Sequence, residues 1–257
     1  MGLPTIAVPE YTLTIPSTGK EVKYRPFLVK EEKILLLALE SEETDEIVNA
    51  TQNIVENCIY GDVDVKTMPT FDMEYIFLQL RGKAKGEILD LKYNCPKCEQ
   101  EIPIAIKIDD IKVVQQDKDH NSKIEITEDL GIMMKYPSIE LQSKMAKAEE
   151  EKMPQVEQLF NTMVACIDYI YDKETTYPSK DHTPQEMVDF LESLTDPQFQ
   201  KIAKFFETAP ILKHSMEIHC KNRIGSDGKA RKPGSKDKKT CGYKEKMTLE
   251  GLNSFFA

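Results

Sequence analysis

Missing from this chain are the marks of export, membrane insertion and motif-borne catalysis. No basic start followed by an apolar run opens it, so no export signal is expected and a reducing cytoplasm is the expected compartment. Its longest apolar runs, such as ILLLALE, fall well short of the roughly 20 residues a bilayer span needs. Positive charge is in deficit: 34 Lys and Arg stand against 44 Asp and Glu, a formal net charge of -10 at pH 7. A phosphate backbone is repelled on average by such a chain, so no specific nucleic-acid partner is expected. HExxH, GxSxG, a phosphate-cradling glycine loop and a dinucleotide fingerprint are all absent. His120 and His182 lie in polar turn regions and read as solvated side chains. No catalytic residue and no small-molecule substrate is assigned, and a non-enzyme is expected.

Against these absences stand four cysteines in two distant groups. Cys95 and Cys98 sit in YNCPKCEQEI, while Cys220 and Cys241 sit in IHCKNR and KKTCGYKEKMTLEG. Each group lies beside short strand-like segments. Two turns that each deliver two thiolates to one point make a split zinc ribbon holding one structural zinc ion. Pro96 pre-sets the first turn, and Gly242 permits tight chain passage after Cys241. Lys97 and Lys244 offset part of the surplus charge of four thiolates around one dication. Two departures from the common pattern stand out. Glu99 rather than glycine follows Cys98, and twenty residues separate Cys220 from Cys241 where two to four are usual. Joining Cys98 to Cys220 closes a loop of roughly 120 residues at about 4 kcal/mol. Structural zinc returns on the order of 10–16 kcal/mol at neutral pH, so the metal outweighs the closure.

Alternatives stay open at this point. The four thiols can pack as small hydrophobes without metal. His219 can replace its neighbour Cys220 in a hydrolytic site, although a four-sulfur shell leaves no position for water. A zinc-ribbon nucleic-acid or transcription-complex accessory protein can use the basic segment KNRIGSDGKARKPGSKDKKT, with Lys229, Arg231 and Lys232, as its contact. That segment has no aromatic residue for base stacking, and a solvated insertion is the favoured reading. Cys58 and Cys166 fall on apolar helical stretches and are assigned to the core.

Periodicity organises the rest. Thr12–Ile15 and Val22–Tyr24 flank the turn residues Ser17, Thr18 and Gly19 as a β-hairpin. A helix follows from about Lys30 to Leu39, its Ile34, Leu35, Leu37 and Ala38 dense enough for a buried face. Further helices are expected over Asp45–Cys58 and over Phe71–Arg81, the latter with Thr70 as N-cap and Gly82 as its stop. After Gly86 the period changes to two, and Ile102, Ile104, Ile106 and Ile108 share one strand face. Strands are expected over Lys123–Thr127, Ile211–His219 and Tyr243–Leu249, with mainly helical structure from Ser138 to about Phe206. The fold class is α+β: an N-terminal hairpin and helical region over 1–86, then a ribbon (87–108 and 211–257) carrying a helical insertion over about 138–208.

The opening of the chain is more specific. Pro9, Tyr11, Leu13 and Ile15-Pro16-Ser17-Thr18-Gly19, followed by Tyr24-Arg25-Pro26-Phe27-Leu28-Val29-Lys30-Glu31-Glu32-Lys33, resemble a baseplate protein family of T-even-like tailed bacteriophages. FDMEYIFLQLRGKAKGE and the ending CGYKEKMTLEGLNSFF are similar to the same family. The resemblance implies a baseplate hub subunit or hub assembly factor that works by binding other baseplate hub proteins. It implies synthesis in the host cytoplasm, whether the product stays in the virion baseplate or leaves after assembly. Arg25 and Phe27, and the C-terminal Phe255 and Phe256, are the candidate partner contacts, since arginine and aromatic side chains anchor interfaces. Phe27 also suits burial in its own domain.

Overall fold

The computed structural model describes residues 6–41, 43–150, 152–224 and 239–251. The chain opens with a hairpin of β1 (Tyr11–Thr14) and β2 (Glu21–Tyr24), in which Leu13, Val22 and Tyr24 point inward. Gly19, at φ 67°, closes the turn and donates its amide to the Ile15 carbonyl at 2.8 Å. Helices α1 (Val29–Ser41) and α2 (Thr44–Cys58) follow, and β3 (Ile59–Tyr60) adds a third strand beside β2. Helix α2 buries Ile54, Val55 and Cys58. Helix α1 differs from expectation. Only Ala38 of its four expected inward residues is buried, Leu35 is half-buried, and Ile34 and Leu37 are exposed.

Helix α3 (Thr70–Lys85) is the joint of the molecule. Met73, Ile76, Phe77 and Leu80 belong to the N-terminal core with Leu13, Phe27 and Ile54. Leu78 belongs to a second core with Leu89, Ile106, Leu212 and Leu249. A helix covered on several sides needs apolar residues around most of its circumference. Both of its expected ends are corrected. Pro69 occupies the N-cap, and Thr70 is the first helical residue, its hydroxyl and amide both donating to the Pro137 carbonyl at 3.0 Å. Gly82 lies inside the helix because Ile108 packs against it: an added Cβ would come within 3.0 Å of the Ile108 side chain. The stop is Gly86, at φ 120°.

Strands β4 (Ile88–Asn94) and β5 (Glu101–Lys107) form a long hairpin, followed by a 3-10 turn at Ile108–Asp110 and by β6 (Lys112–Val114). The stretch expected to be mainly helical is helices on a sheet. Strands β7 (Lys123–Glu125) and β8 (Gly131–Met134) precede α4 (Ile139–Glu150) and α5 (Gln155–Ala165), and β9 (Ile167–Tyr171) and β10 (Thr176–Pro178) come after them. The sheet order is β10-β9-β8-β7. Ile167, Tyr169, Ile170 and Tyr171 are β-branched or aromatic, which favours a strand where an apolar run alone reads equally well as helix.

Helices α6 (Pro184–Glu192) and α7 (Asp196–Thr208) start at capping boxes built on Thr183 with Glu186 and on Thr195 with Gln198. Met187, Leu191, Ile202 and Phe205 close a third core over the sheet. His120 is part of this packing and not a solvated side chain. Its ring lies 5.1 Å from Phe205 and 5.7 Å from Tyr136, and its nitrogens reach Thr208 Oγ1 at 2.8 Å and Tyr136 OH at 2.9 Å. The chain ends its described course with β11 (Ile211–His219) and β12 (Lys244–Glu250), an antiparallel pair whose outer neighbour is β6.

Candidate metal centre

The β4–β5 hairpin and the β11–β12 pair present their cysteine turns to each other. In the first turn the Cys95 amide donates to the Gln100 carbonyl at 3.0 Å, and the Glu99 amide donates to the Cys95 carbonyl at 2.8 Å. The second turn repeats the pattern. The Cys220 amide donates to the Tyr243 carbonyl at 2.8 Å, and the Gly242 amide donates to the Cys220 carbonyl at 3.1 Å. Cys95 thus matches Cys220, and Cys98 matches Cys241. Glu99 at φ 59° occupies the left-handed conformation that Gly242 holds at φ 65°. The long spacing of the second pair is an insertion within an otherwise equivalent turn. Cys241 donates its amide to the Asn222 carbonyl at 2.9 Å and Ile224 to Lys239 at 3.0 Å, so a short stem closes the base of the insertion.

All four sulfurs come together. Cys95, Cys98, Cys220 and Cys241 are buried, and their Sγ atoms lie within 4.8 Å of one another. The Cys95–Cys241 and Cys98–Cys220 separations are both 3.7 Å, far beyond a disulfide bond, and all six cysteines are free thiols. Sulfurs held about 2.3 Å from one tetrahedral zinc ion stand about 3.8 Å apart, so the donor set fits such an ion. Burial raises the Cys95 thiol, but amide hydrogen bonds from Cys98 and Lys97 outweigh it and bring the group down to about 7. Burial pushes Cys220 up to about 12, against the Asn222 amide and with the neighbouring thiols adding to the rise. Thiols so disposed give up protons together only when a cation compensates their charge. The four residues can hold a metal ion.

The walls of the site are tied from both hairpins. Lys97 Nζ donates to the Cys241 carbonyl at 3.1 Å, bringing a positive charge to the cluster from the opposite turn. Asn222 Nδ2 donates to the Glu101 carbonyl at 3.1 Å. Tyr93 OH and Tyr243 OH both donate to Glu245 Oε2, at 2.9 and 2.6 Å. Ile102, Ile218 and Ile224 complete an apolar shell around the thiols. Tyr93 and Asn222 are not recognisable as bracing residues in the sequence, because their partners Glu245 and Glu101 lie more than a hundred residues away. His219 is exposed on β11 and does not join the sulfur group.

The remaining site residues are dispersed. Arg25 is nearly covered, its guanidinium 2.9 Å from Glu31 and donating also to the Pro26 and Asn57 carbonyls at 3.1 Å. Phe27 is buried and stacks on Phe77 with centroids 6.2 Å apart, inside the N-terminal core. Phe255 and Phe256 lie outside the described residues, as do Lys229, Arg231 and Lys232 of the basic segment. Cys58 and Cys166 are buried away from the cluster, and burial pushes their thiols up to about 11 and about 12.

No helix among the described residues is long and apolar enough to cross a membrane. A family model described as T4 bacteriophage base plate protein matches residues 8–227, a span that takes in Cys95, Cys98 and Cys220. No curated protein and no solved structure matches the chain.

Proposed function

The chain belongs to the family of T4 bacteriophage base plate proteins, and from that premise we propose that it serves the central hub of the baseplate, as a subunit or as an assembly factor. The family match over residues 8–227 is the observation that carries this reading. The protein works by contact with other hub proteins in the host cytoplasm, not by catalysis. Its metal is a structural zinc ion bound by Cys95, Cys98, Cys220 and Cys241 in a split ribbon. The closed set of four buried thiols supports that role, since a hydrolytic zinc keeps a position open for water. The ion would clip the β4–β5 hairpin to the last strands, and so hold the sheet-and-helix insertion of 115–210 at a fixed place on the N-terminal unit.

Affinity purification of the tagged chain from phage-infected cells, with mass spectrometry of the bound proteins and of finished virions, tests the assignment. Hub proteins in the eluate support it, and the presence or absence of the chain in virions separates a subunit from a transient factor. Recovery of polymerase components or nucleic acid in place of hub proteins would overturn it.

A further inference from the structure

Helix α1 is apolar on the side facing away from the protein. Val29, Ile34, Leu36, Leu37 and Leu39 are all exposed, Val29 by 80% and Leu37 by 56%, while Glu31 and Ala38 occupy the inward side. At 3.6 residues per turn, Val29, Lys33, Leu36, Leu37 and Glu40 fall on one outward strip, and Ile34 and Leu39 flank it. A strip of this kind rimmed by charge marks an association surface.

Charge identifies the occupant. Lys33 and Glu40 are the ionic side chains of the strip, both exposed, and neither has an ion-pair partner among the described residues. Place a second α1 antiparallel to the first, with a two-fold axis between Leu36 and Leu37. Lys33 then faces Glu40 of the other copy, and Leu36 and Leu37 of the two copies meet about the axis. The symmetry repeats each pairing, so the strip makes two Lys-Glu pairs around an apolar centre. Sliding the copies by one turn sets charges against leucines. We propose that α1 is a homodimer interface: two copies of this chain pack their α1 helices antiparallel across a two-fold axis, a self-complementary arrangement of the commonest oligomer symmetry.

Analytical ultracentrifugation of the full chain tests the proposal. The wild type sediments as a dimer. Lys33→Glu and Glu40→Lys each place like charges opposite one another twice, and each weakens the dimer roughly tenfold or more. An equimolar mixture of the two variants re-forms a mixed dimer, and Lys33→Glu combined with Glu40→Lys in one chain restores the homodimer. Both side chains are exposed, and an unchanged circular dichroism spectrum with cooperative unfolding shows that the fold is intact. A monomeric wild type, single variants that dimerise as tightly as the wild type, or a mixture that stays monomeric would each overturn the proposal. So would a monomer whose α1 variants lose capture of another base plate protein, since the strip would then belong to that protein. The dimer measurement uses purified chain alone, so its outcome is separate from that of the hub assignment.

Discussion

Cys98 and Cys220, 122 residues apart in the chain, hold their sulfurs 3.7 Å from each other in a buried pocket. Helices α4 to α7 and the four-stranded sheet lie in the interval between them. A single cation held at that point would tie the β4–β5 hairpin to strands β11 and β12. The purified protein is expected to carry one zinc per chain by elemental analysis, with four sulfurs around it by X-ray absorption. Cys95→Ser and Cys220→Ser should each lose the metal and lower Tm together. Structural zinc contributes on the order of 10 kcal/mol, comparable to the whole stability of a domain, so chelation should unfold the hairpins. Unchanged zinc content in Cys95→Ser would sink the site.

Glu99 and Gly242 hold equivalent places in the two turns, and their substitutions should have opposite signs. An alanine Cβ at Gly242 meets nothing within 4 Å, so Gly242→Ala costs only the left-handed backbone, about 1–2 kcal/mol. Glu99→Gly relieves that same cost and should be neutral to stabilising by about 1 kcal/mol, the extra chain entropy of glycine taking back part of the gain. Urea denaturation of the metal-loaded variants measures both, and equal effects at the two positions would dismiss the equivalence of the turns.

Arg25 and Glu31 form the nearly buried ion pair of the N-terminal unit. Glu31 also accepts from the Leu28 amide at 2.8 Å. Burial raises the Glu31 carboxyl, but the Arg25 guanidinium and the Leu28 amide outweigh it and leave it below its ordinary value of 4.5. Its contribution is therefore present above pH 4.5 and lost as pH falls through the lower folded value. Arg25→Ala leaves the carboxylate buried with Lys30 as its remaining cation, 3.3 Å away, and should cost about 3 kcal/mol at pH 7. A loss below about 0.5 kcal/mol, the scale of an ordinary surface substitution, would show that the pair is not structural.

Asp72 titrates the other way. It is fully buried, accepts the Ser17 amide at 3.0 Å and the Ser17 hydroxyl, and burial raises its carboxyl above 3.8 despite those bonds. A raised folded value means that stability is fully present below pH 3.8 and is lost as pH rises through the folded value. Asp72→Asn keeps an acceptor for Ser17 and removes the titration. The wild type should therefore gain stability relative to Asp72→Asn as pH falls from 7 to 4, read from paired urea curves. Parallel pH profiles would refute the assignment.

Local chemistry was the most legible part of the chain. The hairpin around Gly19, the Thr-Pro and Thr-Asp-Pro helix starts, the isoleucine alternation after Cys98 and the tight Cys95–Cys98 turn all follow from short-range rules. Residues whose role depends on a distant neighbour were not legible. Gly82 looks like a helix stop until Ile108 is seen packed against it. His120 sits in a polar turn of the sequence, yet Tyr136 and Phe205 flank its ring. Strand β9 follows α5 after a single residue, and an apolar run through that point carries no mark of the change.

Alone, the amino-acid order determined which residues share a face and which side chains can ligate a soft metal, because both depend on backbone period and side-chain chemistry. It also carried the resemblance to the baseplate family. Tertiary structure alone decided what each face meets. The apolar residues of α3 lie between two cores, whereas the apolar strip of α1 faces outward, and the two helices do not announce that difference in their composition. The physical reason is that periodicity orients a side chain about its own helix axis, while the neighbour it faces is set by chain segments that fold against it from elsewhere.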